Sequence, residues 1–139
     1  MTTIKRYIGE QIRQSQQVEI ELSKIRDTLS EQPIKDEDLY ISIMDVIQKY
    51  PGNENVLLVF LDFLQLANSK NLIEQYELDD VDSLFKHLCK YYPLNYTIHL
   101  EYYYFLFNVL DRAGEAKQVL AKYLREMTVQ LGKMEKLVS

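Results

Sequence analysis

Cysteine, tryptophan, glycine and proline are scarce or missing in this chain of 139 residues, and each shortage removes a class of protein. A single cysteine, Cys89, cannot close an intramolecular disulfide, so no disulfide framework exists, and a lone thiol suits a reducing compartment. Four glycines and three prolines are too few for the many tight turns of an all-β fold and favour long helices. No apolar run approaches the roughly 18 residues that a spanning helix needs. The start, Met1-Thr2-Thr3-Ile4-Lys5-Arg6, lacks the apolar stretch of a signal peptide. A cytoplasmic protein that neither crosses nor binds a membrane is the expectation.

Chemistry-bearing motifs are lacking too. There is no glycine-rich phosphate loop, no G-x-S-x-G elbow and no paired His–carboxylate motif. The only histidines are His87 and His99, and His87 and Cys89 stand two apart on a predicted helix, so they face apart and make a poor metal-ligand pair. Glu77, Asp79, Asp80 and Asp82 form an acidic set without the central glycine and terminal glutamate of a calcium loop, and carboxylates at a helix start explain them. Cys89 lies on an apolar helical stripe and reads as a buried, inert thiol. The expectation is a chain that is not an enzyme, with no metal and no cofactor. A pocket of convergent ionisable groups would be needed to revive an uncharacterised enzyme or a regulatory subunit.

What is present is ordinary in amount and uneven in place. Hydrophobic residues make up 47% and charged residues 27%, enough for a soluble domain with a real core. The net charge of −5 divides into +1 over residues 1–30, −9 over residues 31–111 and +3 over residues 112–139. An acidic middle argues against nucleic acid as a partner, because phosphate contacts need clustered Lys and Arg.

The apolar period predicts helices over 3–31, 36–50, 54–69, 79–91, 95–112 and 115–136, with 70–79 a loop or a single irregular turn. Residues 56–61 alone also suit a buried strand, but the run continues through Phe63, Leu64, Leu66 and Ala67, too long for one. In the first helix, Ile4, Ile8, Val18, Leu22, Ile25 and Leu29 form a heptad ladder whose middle rungs, Gln11 and Ser15, are polar. Residues 1–17 are therefore expected to be a loosely attached arm, with docking from Val18 and a stop at Pro33. In the last helix, Leu120, Leu124, Met127, Leu131, Met134 and Val138 step by four and three, an unbroken ladder and a candidate oligomer seam for a homodimer. Residues 130–139 read as a helical extension of a single domain spanning 1–139.

The chain also repeats itself. Tyr50-Pro51-Gly52-Asn53 and Tyr92-Pro93-Leu94-Asn95 lie at matched positions, with apolar residues aligned on both sides: Leu39 with Val81, Ile43 with Phe85, Val46 with Leu88, Val56 with Ile98, Phe63 with Phe105. Proline pushes the residue before it out of the α region, so a helix ends near each tyrosine. Asn53 and Asn95 can cap the next helix in each copy. Gly114, after Arg112 and Ala113, is placed to close the aromatic helix in the left-handed conformation.

A helix ending in Pro-x-Asn, then an aromatic-rich helix, a glycine turn and another helix resemble tetratricopeptide or half-a-tetratricopeptide repeats over roughly residues 36–130. The sequence departs from the family in carrying Leu61 and Tyr103 where the pattern wants a small residue. The resemblance implies an all-α fold of three stacked antiparallel hairpins, about six helices in a right-handed arrangement. It also implies an adaptor or scaffold that binds a peptide or partner helix on the first helix of each hairpin. Through the two proline registers this names Asn55, Asp62, Gln65, Thr97, Tyr104 and Asn108 as the binding surface, with Leu58, Leu100 and Phe107 read as core. The rival reading is an acidic helical inhibitor or immunity-type protein that masks a basic partner, supported by the −9 of the middle region.

Overall fold

A computed structural model of the chain describes residues 3–31 and 36–139, so Pro33 lies outside the described residues. Among the described residues there are seven α-helices, one π turn and no strand. They are α1 (Thr3–Ser30), α2 (Asp36–Lys49), α3 (Glu54–Leu66), α4 (Lys70–Ile73), α5 (Leu78–Tyr91), α6 (Tyr96–Tyr104), the π turn Phe105–Val109 and α7 (Ala113–Val138). The fold is all-α, and residues 56–61 are helical, inside α3. The chain groups into two compact units, Met1–Glu77 and Leu78–Ser139.

In the first unit α1, α2 and α3 pack against one another. Their four-and-three spacing puts Val18, Leu22 and Ile25 of α1, Leu39, Ile43 and Val46 of α2, and Val56, Val59 and Phe63 of α3 into one core, with Leu72 from the single-turn α4. Each such side chain contributes about 1.5–3 kcal/mol when fully buried. In α1 the buried residues begin at Val18, while Ile4, Tyr7, Ile8 and Ile12 of the first half are exposed. Polar ties fasten the rest. Asp36 Oδ2 accepts the backbone N–H groups of Asn68 and Ser69, both at 2.6 Å, which pins the chain after α3 to the start of α2. Lys49 Nζ bridges Glu21 Oε1 at 2.9 Å and Asp45 Oδ2 at 3.0 Å, and this ammonium holds the Glu21 carboxyl below its ordinary range.

The two Tyr-Pro-x-Asn turns form the same hydrogen bonds. Tyr50 N–H donates to Val46 O and Asn53 N–H to Tyr50 O; Tyr92 N–H donates to Leu88 O and Asn95 N–H to Tyr92 O. Asn53 Oδ1 then accepts from Val56 N–H at 3.1 Å, and Asn95 Oδ1 from Ile98 N–H at 3.0 Å. Both asparagines are therefore N-caps, each worth about 1 kcal/mol. Gly52, with φ at 75°, follows Pro51 as the third residue of its turn, the position that needs positive φ in a type II turn.

In the second unit α5 packs on α6, and α7 packs on α6 and the π turn. Val81, Phe85 and Leu88 of α5 are buried with Ile98 and Tyr102 of α6, Phe105 and Leu106 of the π turn, and Ala116 and Tyr123 of α7. The Phe85 ring stacks on Tyr102 at 5.1 Å and lies 5.3 Å from Phe105. His99 stacks on Tyr123 at 4.8 Å, and its Nδ1 lies 2.7 Å from Asn95 O. A carbonyl only accepts, so the proton of that bond sits on Nδ1.

The aromatic helix differs from its expected course over 95–112. α6 stops at Tyr104. Leu110 N–H then donates to Phe105 O, five residues back, and Arg112 N–H to Leu106 O. An i→i+5 turn holds one residue more than an α turn, so positions beyond it slip off the α-helical face by up to about 100°. The helix is closed by Asp111, with φ at 54°. Asp tolerates this left-handed region better than most side chains. Gly114, expected to fill that role, lies inside the first turn of α7 instead.

Candidate functional site

An exposed cluster of aromatic rings lies in the second unit where α6 runs into the π turn. Tyr104 ends α6 at 51% exposure, and Phe107, in the π turn, is 42% exposed. Half-buried Tyr103 links them: its ring meets Tyr104 edge-on at 5.3 Å and 71°, and lies stacked against Phe107 at 5.7 Å and 28°. Two rings near a right angle make a corner with apolar walls, and the Tyr104 hydroxyl adds a polar tip. Phe107 was expected in the core; it stands three residues after exposed Tyr104 and four after Tyr103, on whose ring it stacks, and so shares their surface-facing side. Leu100 is half-buried, whereas Leu58 is buried as expected.

The six predicted surface residues divide between the units. Thr97, in the first turn of α6, and Asn108, in the π turn, are exposed, as is Tyr104. The spacing that put Asn108 on one face with Thr97 and Tyr104 assumed an unbroken α-helix, and the π turn interrupts that period. On α3, Asn55, Asp62 and Gln65 are half-buried. Asp62 and Gln65 share a shallow groove of about 370 Å³ with Arg26, Leu29, Ser30 and Leu66, between α1 and α3. Asn55 lies at the far end of the helix, where its backbone N–H donates to Asn53 Oδ1 at 3.0 Å. Of the predicted seam, Leu120 and Met127 are half-buried, and Leu124, Leu131, Met134 and Val138 are exposed.

A second groove, of about 480 Å³, runs between α1 and α2 with Glu21, Lys24, Asp38 and Asp45 along it and Ile25, Leu39 and Val46 beneath. Two of its carboxylates are already bridged by Lys49. Among the described residues, no three His, Cys, Asp or Glu side chains gather as metal ligands. No helix there is long and apolar enough to cross a membrane.

The buried titratable groups sit in the second unit. Asp82 is buried, with Oδ1 accepting from the Tyr102 hydroxyl at 2.6 Å and Oδ2 3.0 Å from Lys86 Nζ. Burial, then the Asp82 carboxylate, raises the Tyr102 phenol. Burial also pushes the half-buried Cys89 thiol up to about 12, with the Lys122 ammonium pulling the other way. In the unfolded chain a thiol ionises near pH 8.5. The folded chain therefore retains this proton longer, and the associated stability is lost as pH rises from about 8.5 towards 12. Cys89→Ala is expected to flatten that alkaline decline in urea titrations. Native protein should react with a disulfide reagent at pH 8 at least about tenfold more slowly than urea-unfolded protein. Equal labelling rates would show an accessible, ordinary thiol.

The chain matches no family model, and comparisons with curated proteins and with solved structures give no match.

Proposed function

We propose that this chain is a non-catalytic protein-interaction module, an adaptor or scaffold that holds a peptide or a partner helix on the exposed face of α6 and its π turn. The observation that carries this is the aromatic corner of Tyr103, Tyr104 and Phe107, kept at the surface, with Thr97 and Asn108 exposed on the same two elements. Clustered aromatic area left in water is enriched at protein interfaces, and flanking amide and hydroxyl groups supply paired donors and acceptors for a peptide backbone. The tetratricopeptide-like reading agrees with it. Helices α3 and α6 each follow a Pro-x-Asn turn, the place that such repeats give to partner-bearing helices in a right-handed stack. The lone reduced cysteine suits a cytoplasmic setting.

The test is to select peptides from a random display library on the intact chain and to titrate them by calorimetry. Tyr104→Ala is expected to weaken the selected peptides by about 1–2 kcal/mol, with the circular dichroism spectrum unchanged. Unaltered binding to the double variant Tyr104→Ala/Asn108→Ala would remove this surface from consideration. A second reading, an acidic inhibitor that masks a basic partner, draws on the −9 of residues 31–111 and on the exposed carboxylates Glu37, Asp38, Glu77, Asp79 and Asp80. It predicts binding that collapses as salt is raised, whereas an aromatic corner holds its peptide with little salt dependence.

A further inference from the structure

Helix α7 is longer than the elements it packs on. Its 26 residues extend about 39 Å, whereas α6 and the π turn together supply 14 residues, about 21 Å. The buried residues of α7, Ala116 and Tyr123, lie in its first half. Beyond them, apart from half-buried Met127, the apolar face is exposed: Leu124 is 61% exposed, Leu131 50%, Met134 61%, Leu137 86% and Val138 87%.

We infer that this seam is covered by α7 of a second copy of the chain, running antiparallel. The ladder is complementary to itself in that direction. When two copies run antiparallel with Leu124 against Met134 of the second copy, Met127 meets Leu131 and Leu120 meets Val138, so every rung finds a rung. The same register sets Arg125 level with Lys133 of the second copy and Glu135 level with Tyr123, none of these four being a rung of the ladder. A parallel pair would align two helix dipoles side by side, which antiparallel pairing avoids. Area agrees with a second copy as the occupant. Five apolar side chains at roughly 100 Å² each give roughly 500 Å² per copy, and with adjoining surface the pair approaches the lower edge of stable interfaces, about 1,200 Å² in total. The seam is independent of the peptide-binding face on α6.

Sedimentation equilibrium of the intact chain at about 50 µM, a concentration suited to an interface of that size, should give twice the chain mass of 16.5 kDa. Leu131→Asp should return it to the single-chain mass with the helical spectrum intact, because the side chain is exposed in the free chain. Orientation is read by oxidation in a Cys89→Ala background. The double variant Leu124→Cys/Met134→Cys is expected to crosslink between chains. Leu124→Cys alone should not, since antiparallel pairing separates its two copies by about 15 Å along the axis, beyond disulfide reach. A single-chain mass for the unmodified protein overturns the inference. So does crosslinking of Leu124→Cys alone, which marks a parallel pair. A dimer that survives Leu131→Asp but is lost in Ile8→Asp would move the seam to α1.

Discussion

Phe85→Ala is expected to destabilise the second unit by about 3–5 kcal/mol. The side chain is fully buried and is shared by two ring contacts, the stack on Tyr102 and the tilted pair with Phe105. Removing it deletes the transfer free energy of a phenyl ring and leaves a cavity whose walls belong to two different elements, α6 and the π turn. Those walls cannot both relax inward without disturbing the register that the π turn sets. A typical domain is stable by only about 5–15 kcal/mol, so a loss of this size should be visible as partial unfolding of the second unit. Urea denaturation followed by circular dichroism at 222 nm measures it; the chain has no tryptophan to report by fluorescence. A loss below about 1 kcal/mol would mean that Phe85 is not at the centre of this core.

Tyr102→Phe is expected to cost about 1.5–3 kcal/mol, although it removes one oxygen atom. The hydroxyl is the donor to Asp82 Oδ1, and Asp82 is buried, so the variant leaves a carboxylate oxygen without that donor. Lys86 still reaches the other oxygen, but its side chain is mostly exposed and its attraction is screened by water. The double variant Asp82→Leu/Tyr102→Phe should recover part of the loss, because replacing both polar partners removes the unpaired group as well as the bond. Chemical denaturation of the two single variants and the double variant closes the cycle. Additive losses would show that the pair is not coupled.

The helices were legible where punctuation and period agree. Pro51 and Pro93 fix where α2 and α5 must end, and Asn53 and Asn95 cap α3 and α6, a local chemistry that survives any packing. The apolar spacing of α2, α3 and α5 named core residues that are buried, among them Ile43, Val56 and Phe85. The π turn stayed hidden. Phe105-Leu106-Phe107-Asn108-Val109 reads as continuous helix, because one extra residue in a turn changes no propensity and adds no breaker. Its consequence was hidden with it: Asn108 leaves the period shared by Thr97 and Tyr104. Phe107, read as core although the repeat register set it beside Tyr104, is at the surface. Asp111 could have been suspected of the left-handed position, since Asp tolerates it, but nearby Gly114 gave the stronger signal and was inside the next helix. Tyr104 was recoverable because it precedes the slip.

Whether the aromatic corner at the end of α6 receives a peptide is best read from backbone amide chemical shifts. The nitrogen-15-labelled chain would be followed while a display-selected peptide is titrated in. The largest changes should cluster at Thr97 and over residues 103–109, and for Tyr104→Ala they should need about five- to thirtyfold more peptide to appear. Changes centred on the α1–α2 groove or on the exposed carboxylates of residues 77–80, with residues 103–109 unmoved, would contradict a peptide site at this corner.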